Sequence, residues 1–250
     1  MERKRNRHRR RRGRLSFLWK PLCTVVALTA MFVAVTFFFR MEHIIVTGMS
    51  RYSEQEVLDA SGLELGGNLY FINKFEVKKE LFRRLPYVEE IRINRKLPDT
   101  LLIEVGECTA NAAVPFGDGY WLVSENGKLL EQTQTLEASL VLLEGLELHE
   151  PQAAEKADFG EEGAYRASVA LTLLREAARR GMRDKIRRID LSDDTALNME
   201  YLNRFTVRMP WTADVGYKLD TLETVVNYLE NNETGRIDLM TEGKASFIPQ

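Results

Sequence analysis

The chain is short of the residues from which most catalytic and metal centres are built. Its 250 residues include two cysteines, Cys23 and Cys108, and three histidines, His8, His43 and His149. Cys23 sits in the most apolar stretch, which leaves Cys108 as the lone thiol of everything after it. One thiol makes no intrachain disulfide, so the fold must be held by its core. No CxxC pair and no metal-spaced Cys/His cluster occurs, and the histidines are too scattered in sequence to suggest a site, leaving only one assembled in space. There is no internal repeat, and a single long apolar run excludes a multi-span transporter. With 29% charged and 44% apolar residues, the chain is neither disordered nor collagen-like, and has room for one or two domains.

The net charge of −2 conceals two unlike parts. Residues 1–20 hold ten Lys/Arg against Glu2, a balance of +9, while the other 230 residues hold 25 basic and 36 acidic side chains, or −11. So acidic a body lacks the basic face that nucleic-acid binding needs. Residues 22–39, opening on Leu22 and closing on Phe39, carry no charge. As a helix they would span about 27 Å at roughly 1.5 Å per residue, close to the ~30 Å hydrocarbon core of a bilayer. Thr24, Thr29 and Thr36 can return their hydroxyls to the backbone four residues earlier, and Trp19 and Arg40 flank the run as interface anchors do. The expected layout is a basic cytoplasmic tail over 1–20, a transmembrane helix over 21–40 and an exported body. A cleaved signal peptide competes with this reading. The length of the run and its Phe37-Phe38-Phe39-Arg40 ending, without a small-x-small site, argue for retention. The tail by itself would also suit RNA or DNA; beside a membrane segment it suits retention and contact with anionic lipid.

The body opens with β-branched Ile44-Ile45-Val46-Thr47 closed by Gly48, a strand and turn. Ser53 with Glu56 forms a capping box for a helix through Val57, Leu58 and Ala60 that Gly62 ends. Gly66-Gly67-Asn68 is a loop. Asn73 and Glu76 start a second helix, predicted to carry Phe75, Leu81, Phe82 and Leu85 towards the core until Pro86 stops it. Ile91 and Ile93 alternate with Glu90, Arg92 and Asn94, and Leu101, Ile103 and Val105 alternate with Leu102 and Glu104, as two strands joined around Leu97-Pro98-Asp99. This order predicts an α+β unit over 41–108 with both helices on one face of a three-stranded sheet. A larger mixed β-sheet domain with two main helices is expected over 109–240. Its predicted strands are 120–124, 127–131, 140–143, 186–191, 197–201, 205–209 and 237–240. Its helices are 165–180 and one with Leu219, Leu222, Val226 and Leu229 on a stripe that Asn231-Asn232 breaks. Residues 144–163 read as an acidic connection, and 241–250 as a C-terminal strand and tail.

The stretch "IIVTGMSRYSEQEVLDASGLELGGNLYFIN", then "LPYVEEIRINRKLPDTLLIEVGE", resembles the polypeptide-transport-associated (POTRA) module of FtsQ/DivIB-type bacterial cell-division proteins. "GYWLVSENGKLLEQ", "KLDTLETVVNYL" and "GRIDLM" resemble later elements of that family in the right order. One departure is that Glu107 runs into Cys108-Thr109-Ala110, where the family often has a basic residue and a proline. The resemblance implies a non-catalytic, membrane-anchored scaffold of the division septum. Such a protein would bind FtsL and DivIC/FtsB-type single-span proteins, bear on a septal wall synthase and help control septal peptidoglycan synthesis. An exported POTRA-type chaperone or transport factor, and an anchored carboxylate hydrolase, are the rival classes.

Local patterns that could carry chemistry have plainer explanations. Gly66-Gly67-Asn68 follows a helix and lacks the Lys and Ser/Thr of a phosphate loop. Cys108 has no histidine near it in sequence, and Ser53, with Lys74 or Lys78 as its base, is already accounted for as a helix cap. No cofactor and no metal ligand set is expected. The partner site is expected at the C-terminal edge, where an unpaired apolar strand recruits another chain. The residues assigned to it are Tyr228 at the end of the last helix, Ile237 and Leu239, and Ala245, Ser246, Phe247 and Ile248.

Overall fold

The computed structural model describes residues 15–249, and the basic tail as far as Arg14 lies outside them. Helix α1 (Leu15–Phe38) begins seven residues ahead of the uncharged run and passes through Pro21. Its Trp19–Phe38 stretch is long and apolar enough to cross a membrane, and none of it is buried against the rest of the chain. Thr24, Thr29 and Thr36 donate to the carbonyls of Lys20, Val25 and Phe32, so no hydroxyl there needs an outside partner. Phe39 lies just past the helix but still donates its N–H to Val35 O.

The small unit comprises β1 (His43–Thr47), α2 (Glu54–Ser61), α3 (Lys74–Arg84), β2 (Val88–Lys96) and β3 (Thr100–Glu107). The sheet order is β1-β3-β2, with β1 parallel and β2 antiparallel to the central strand. The alternation of Ile91, Ile93, Leu101, Ile103 and Val105 puts all five under the two helices, against Val57, Ala60, Val77 and Leu81. The capping box of Ser53 and Glu56 is complete, and Gly62 ends α2 in the left-handed region. One expectation fails. Phe75 is 76% exposed, because the buried stripe of α3 runs through Val77 and Leu81, and Phe75 lies two positions, or about 200°, round the helix from it.

The larger unit is a nine-stranded sheet ordered β12-β11-β10-β9-β8-β7-β4-β5-β6. In chain order these are β4 (Ala110–Phe116), β5 (Gly119–Ser124), β6 (Leu129–Thr133), β7 (Val141–Glu144), β8 (Ile186–Asp190), β9 (Ala196–Tyr201), β10 (Phe205–Pro210), β11 (Gly235–Asp238) and β12 (Ser246–Pro249). Helices α4 (Gly160–Arg179) and α5 (Val215–Tyr228) pack on it through Ala167, Ala170, Leu173, Leu174, Leu219 and Leu222. Sequence patterning misses β4 entirely. It also starts α4 five residues late, because Gly160 and Gly163 look like linker while Glu161 and Glu162 in fact occupy the favourable first turn. Helix α5 ends at Tyr228, ahead of the asparagine pair, and residues 246–249 of the expected tail form a full member of the sheet.

The units are joined by the chain itself and by side chains, Asn126 and Lys128 reaching Glu89 and the Val88 carbonyl beside the contacts of Tyr87. Chain passes from β3 to β4 through Cys108 and Thr109 alone, with Cys108 N–H bonded to Tyr87 O at 2.8 Å. Tyr87 is buried among Ala113, Leu122, Leu130 and Leu140 of the large sheet. Its hydroxyl donates to Glu131 at 2.5 Å, and Arg51 lies over its ring at 3.7 Å while pairing with the same carboxylate. The Arg51 loop is itself held by Glu107, which accepts from the Ser50 hydroxyl and from the N–H groups of Ser50, Arg51 and Tyr52. Burial opposes the Glu107 charge, but those bonds outweigh it and hold the carboxyl below its ordinary value.

A lowered carboxyl pKa stabilises the fold fully above the unfolded-state value and loses that contribution as pH falls through the folded-state value. Glu107→Gln is therefore expected to cost about 1 kcal/mol near neutrality, less than the roughly 1.5–3 kcal/mol usual for bonds to a charge because this one is partly solvated. Thermal unfolding followed between about pH 6 and about pH 3 should show the gap to the parent protein closing as the parent's Glu107 protonates.

Candidate functional site

The two edges of the large sheet differ in what covers them. At β6, Leu129 N–H donates to Glu155 O and Ala154 N–H donates to Leu129 O, both at 2.8 Å, and Glu131 is taken by Tyr87 and Arg51. At the other end β12 pairs with β11 on one side and, among the described residues, with nothing on the other.

Which groups face outward follows from the ladder. Gly235 at the start of β11 and Leu239 just past its end donate to Arg204 O and Arg208 O, so the main-chain groups of the alternate positions from 235 to 239 face β10. Arg236 and Asp238 must then face β12, where they lie opposite Ile248 and Ser246. Ser246 and Ile248 thus bond inward, and the open edge presents the N–H and C=O of Phe247. The side chains alternate the other way. Phe247 is half-buried on the core and meets the Phe205 ring edge-on at 6.1 Å, while Ser246 is exposed and Ile248 is 44% exposed.

The seven residues assigned to this site from sequence therefore divide. Ser246, Phe247 and Ile248 form the edge. Ala245 packs partly on the core just before it, and Tyr228 stands free at the end of α5, 87% exposed. Ile237 and Leu239 are wholly buried, so they shape the site from beneath without reaching its surface.

Three further residues position the edge. Lys218 is buried on the apolar face of α5, and its ammonium donates to Leu239 O at 2.5 Å and Thr241 O at 3.0 Å, tying the β11–β12 connection to the helix. The signal was a lysine four residues before Leu222 on the buried stripe. Arg204 gathers the loop before β11 through the carbonyls of Glu230, Asn231 and Glu233. Gly235 has φ +154, and a Cβ there would fall 2.3 Å from Ile248 O and 2.9 Å from Pro249 Cα. Only glycine lets β12 come this close.

The other sequence candidates lie in ordinary structure. Ser53 is engaged with Glu56, and Lys74 donates to Ile93 O at 2.6 Å. Burial, aided by Glu89, pushes the Cys108 thiol up to about 11, which leaves little thiolate near neutrality. His43 comes together in space with Glu42 and Asp99, their ligand atoms within 4.8 Å of one another at the surface beside the start of β1. Glu42 and His43 are exposed, and the Asp99 carboxylate already accepts from the Thr100 hydroxyl at 2.7 Å, so the group carries no further reading.

An apolar N-terminal helix, a β-α-α-β-β unit and a large mixed sheet open at one end define a POTRA-bearing protein. A family model of the FtsQ-type POTRA domain matches residues 39–107, and one of the C-terminal part of cell division protein FtsQ/DivIB matches residues 112–240. The chain belongs to the FtsQ/DivIB family of cell-division proteins. It is 24% identical over 214 residues to cell division protein DivIB of Clostridium botulinum strain Hall, covering 84% of this chain and 82% of that one. It is 24% identical over 218 residues to DivIB of Clostridium acetobutylicum, covering 85% and 84%. Cell division protein FtsQ of Corynebacterium glutamicum is 30% identical over 107 residues, 43% of this chain and 46% of that one. Among solved structures, the major extracytoplasmic domain of the trans isomer of DivIB from Geobacillus stearothermophilus matches with a TM-score of 0.34 and 17% identity, over 51% of this chain and 98% of that one.

Gly235→Ala should push β12 off β11 at a cost of about 1–3 kcal/mol, the usual penalty for forced overpacking. Amide exchange should quicken at Ser246 and Ile248, while the amides of β2 and β3 keep their protection.

Proposed function

We propose that this protein is a non-catalytic, membrane-anchored scaffold of the division septum that captures partners on β12. The N-terminus lies in the cytoplasm, α1 spans the membrane once and the body stands outside, as the positive-inside bias of the tail requires. The POTRA domain is residues 41–108, and the β domain over 109–240 is completed by the strand in 241–250. The partners are the small single-span proteins of the FtsL and DivIC/FtsB types, through which the scaffold bears on a septal wall synthase and septal peptidoglycan synthesis. The observation that carries this reading is the contrast of edges: β6 is paired by its own chain at Leu129 and has its Glu131 side chain taken, while among the described residues nothing pairs with the outer side of β12. An open edge with one apolar outward side chain, Ile248, takes an added strand by main-chain bonds and uses that side chain for choice of partner.

Replacing Phe247 by N-methyl-phenylalanine through semisynthesis removes the outward donor and keeps the ring that packs on Phe205. Losing one main-chain bond is worth about 1 kcal/mol, so capture of the single-span partners should weaken about fivefold or more. Ile248→Lys should weaken it as well, with the unfolding temperature of the protein nearly unchanged in both. Co-purification of the partners at parental levels by both variants would move the docking edge elsewhere, with the open side of β1 next in line.

A further inference from the structure

The junction between α1 and the POTRA sheet is not a flexible tether. Asn68 donates its side-chain amide to Thr36 O, a carbonyl past the last helical bond of α1, and to Val35 O, which it shares with the Phe39 N–H, both at 3.2 Å. Leu69 N–H donates to Phe39 O at 2.9 Å and Met41 N–H to Gly67 O at 2.7 Å. From the other side Arg95 grips the carbonyls of Leu69, Tyr70 and Ile72. The loop over 65–71 is thus fixed to the helix end and to the sheet at once. Leu69 is its buried anchor, yet Leu65 and Phe71 are 63% and 67% exposed and Tyr70 is 47% exposed. A stiff loop that holds three large apolar side chains away from its own core calls for an apolar partner.

The position of the loop along α1 says which partner. Twenty residues of apolar helix, Trp19–Phe38, span about 30 Å, the thickness of the hydrocarbon core. Val35 lies three residues before the end of that stretch, so Asn68 bonds to the helix about 4.5 Å inside it. Tyr70 meets Phe39 edge-on at 4.9 Å, and Phe39 meets Phe38 at 5.1 Å, which makes one aromatic chain from the span to the loop. Aromatic side chains at this height belong to the headgroup level of a bilayer.

We propose that residues 65–71 form a second membrane contact, with Leu65, Tyr70 and Phe71 seated in the interface of the extracytoplasmic leaflet. This rests on the reading that α1 spans the membrane. The contact fixes the tilt of the POTRA domain against the bilayer, so the body rises from the membrane at a set angle.

The test uses the full chain in nanodiscs of phosphatidylglycerol and phosphatidylethanolamine. A nitroxide is placed at Gly67→Cys in a Cys23→Ser, Cys108→Ala background; a Cβ at 67 meets only Glu64 O, at 3.7 Å. Separate samples carry the label on native Cys23 or at Asn232→Cys. Relative accessibility to oxygen and to a nickel chelate reports depth. Position 67 should read as the headgroup–acyl boundary, and Leu65→Ser with Phe71→Ser should raise its nickel accessibility towards that of position 232. If position 67 matches position 232 while Cys23 reads as hydrocarbon, the loop contact is refuted and the span stands. If Cys23 itself reads as aqueous, the spanning helix is refuted and the loop contact falls with it.

Discussion

The folded body after α1 depends on how Tyr87 is buried. It lies between α3 and β2 of the POTRA unit, yet it is buried among Ala113, Leu122, Leu130 and Leu140 of the large unit. Burial and the Glu131 carboxylate both raise its hydroxyl pKa, so it stays a neutral donor at any physiological pH. With Arg51 stacked on the ring and Cys108 N–H bonded to its carbonyl, a single residue ties β2, the β1–α2 loop and β6 together. The two-residue passage from β3 into β4 leaves no slack between the units.

That coupling gives the open edge its meaning. A strand edge on a loosely tethered domain would be an aggregation hazard at no fixed height above the membrane. Here the capped end of α1, the POTRA sheet and the nine-stranded sheet follow one another through hydrogen-bonded joints. The sheet spends its covering segment, residues 152–157, on the edge beside the POTRA domain and leaves β12 free. Lys218 and Arg204 then fix the two loops around β11 without covering the outer row of β12.

The parts of this arrangement legible in sequence are those whose burial is one-sided. The POTRA strands alternate because one face is under helices, and the Ser53–Glu56 box and Asn73 announce their helices by local bonds alone. Strand β4 is illegible for the opposite reason. Ala112 and Val114 face the helix-covered core and Ala113 faces the Tyr87 cluster, so both faces are buried and close-packed. The residues that suit such a place are small, and small residues give no alternation and weak strand propensity. The C-terminal strand was legible in position, but which of its groups point outward was not. Ser246 and Phe247 exchange roles only once the pairing of β11 with β10 is known. Lys218 was hidden because a lysine in an amphipathic stripe reads as solvent-facing until its two carbonyl partners are seen.

The role of the open edge turns on where a partner strand adds. Amide hydrogen exchange of the full chain in nanodiscs, alone and with the proposed single-span partners added, addresses this directly. Capture on β12 should bring new protection at the Phe247 amide, with Ser246 and Ile248 already slow in the free protein because they bond to β11. Protection arising instead along β1 or the Leu129 edge of β6, with Phe247 exchanging as freely as before, would contradict it.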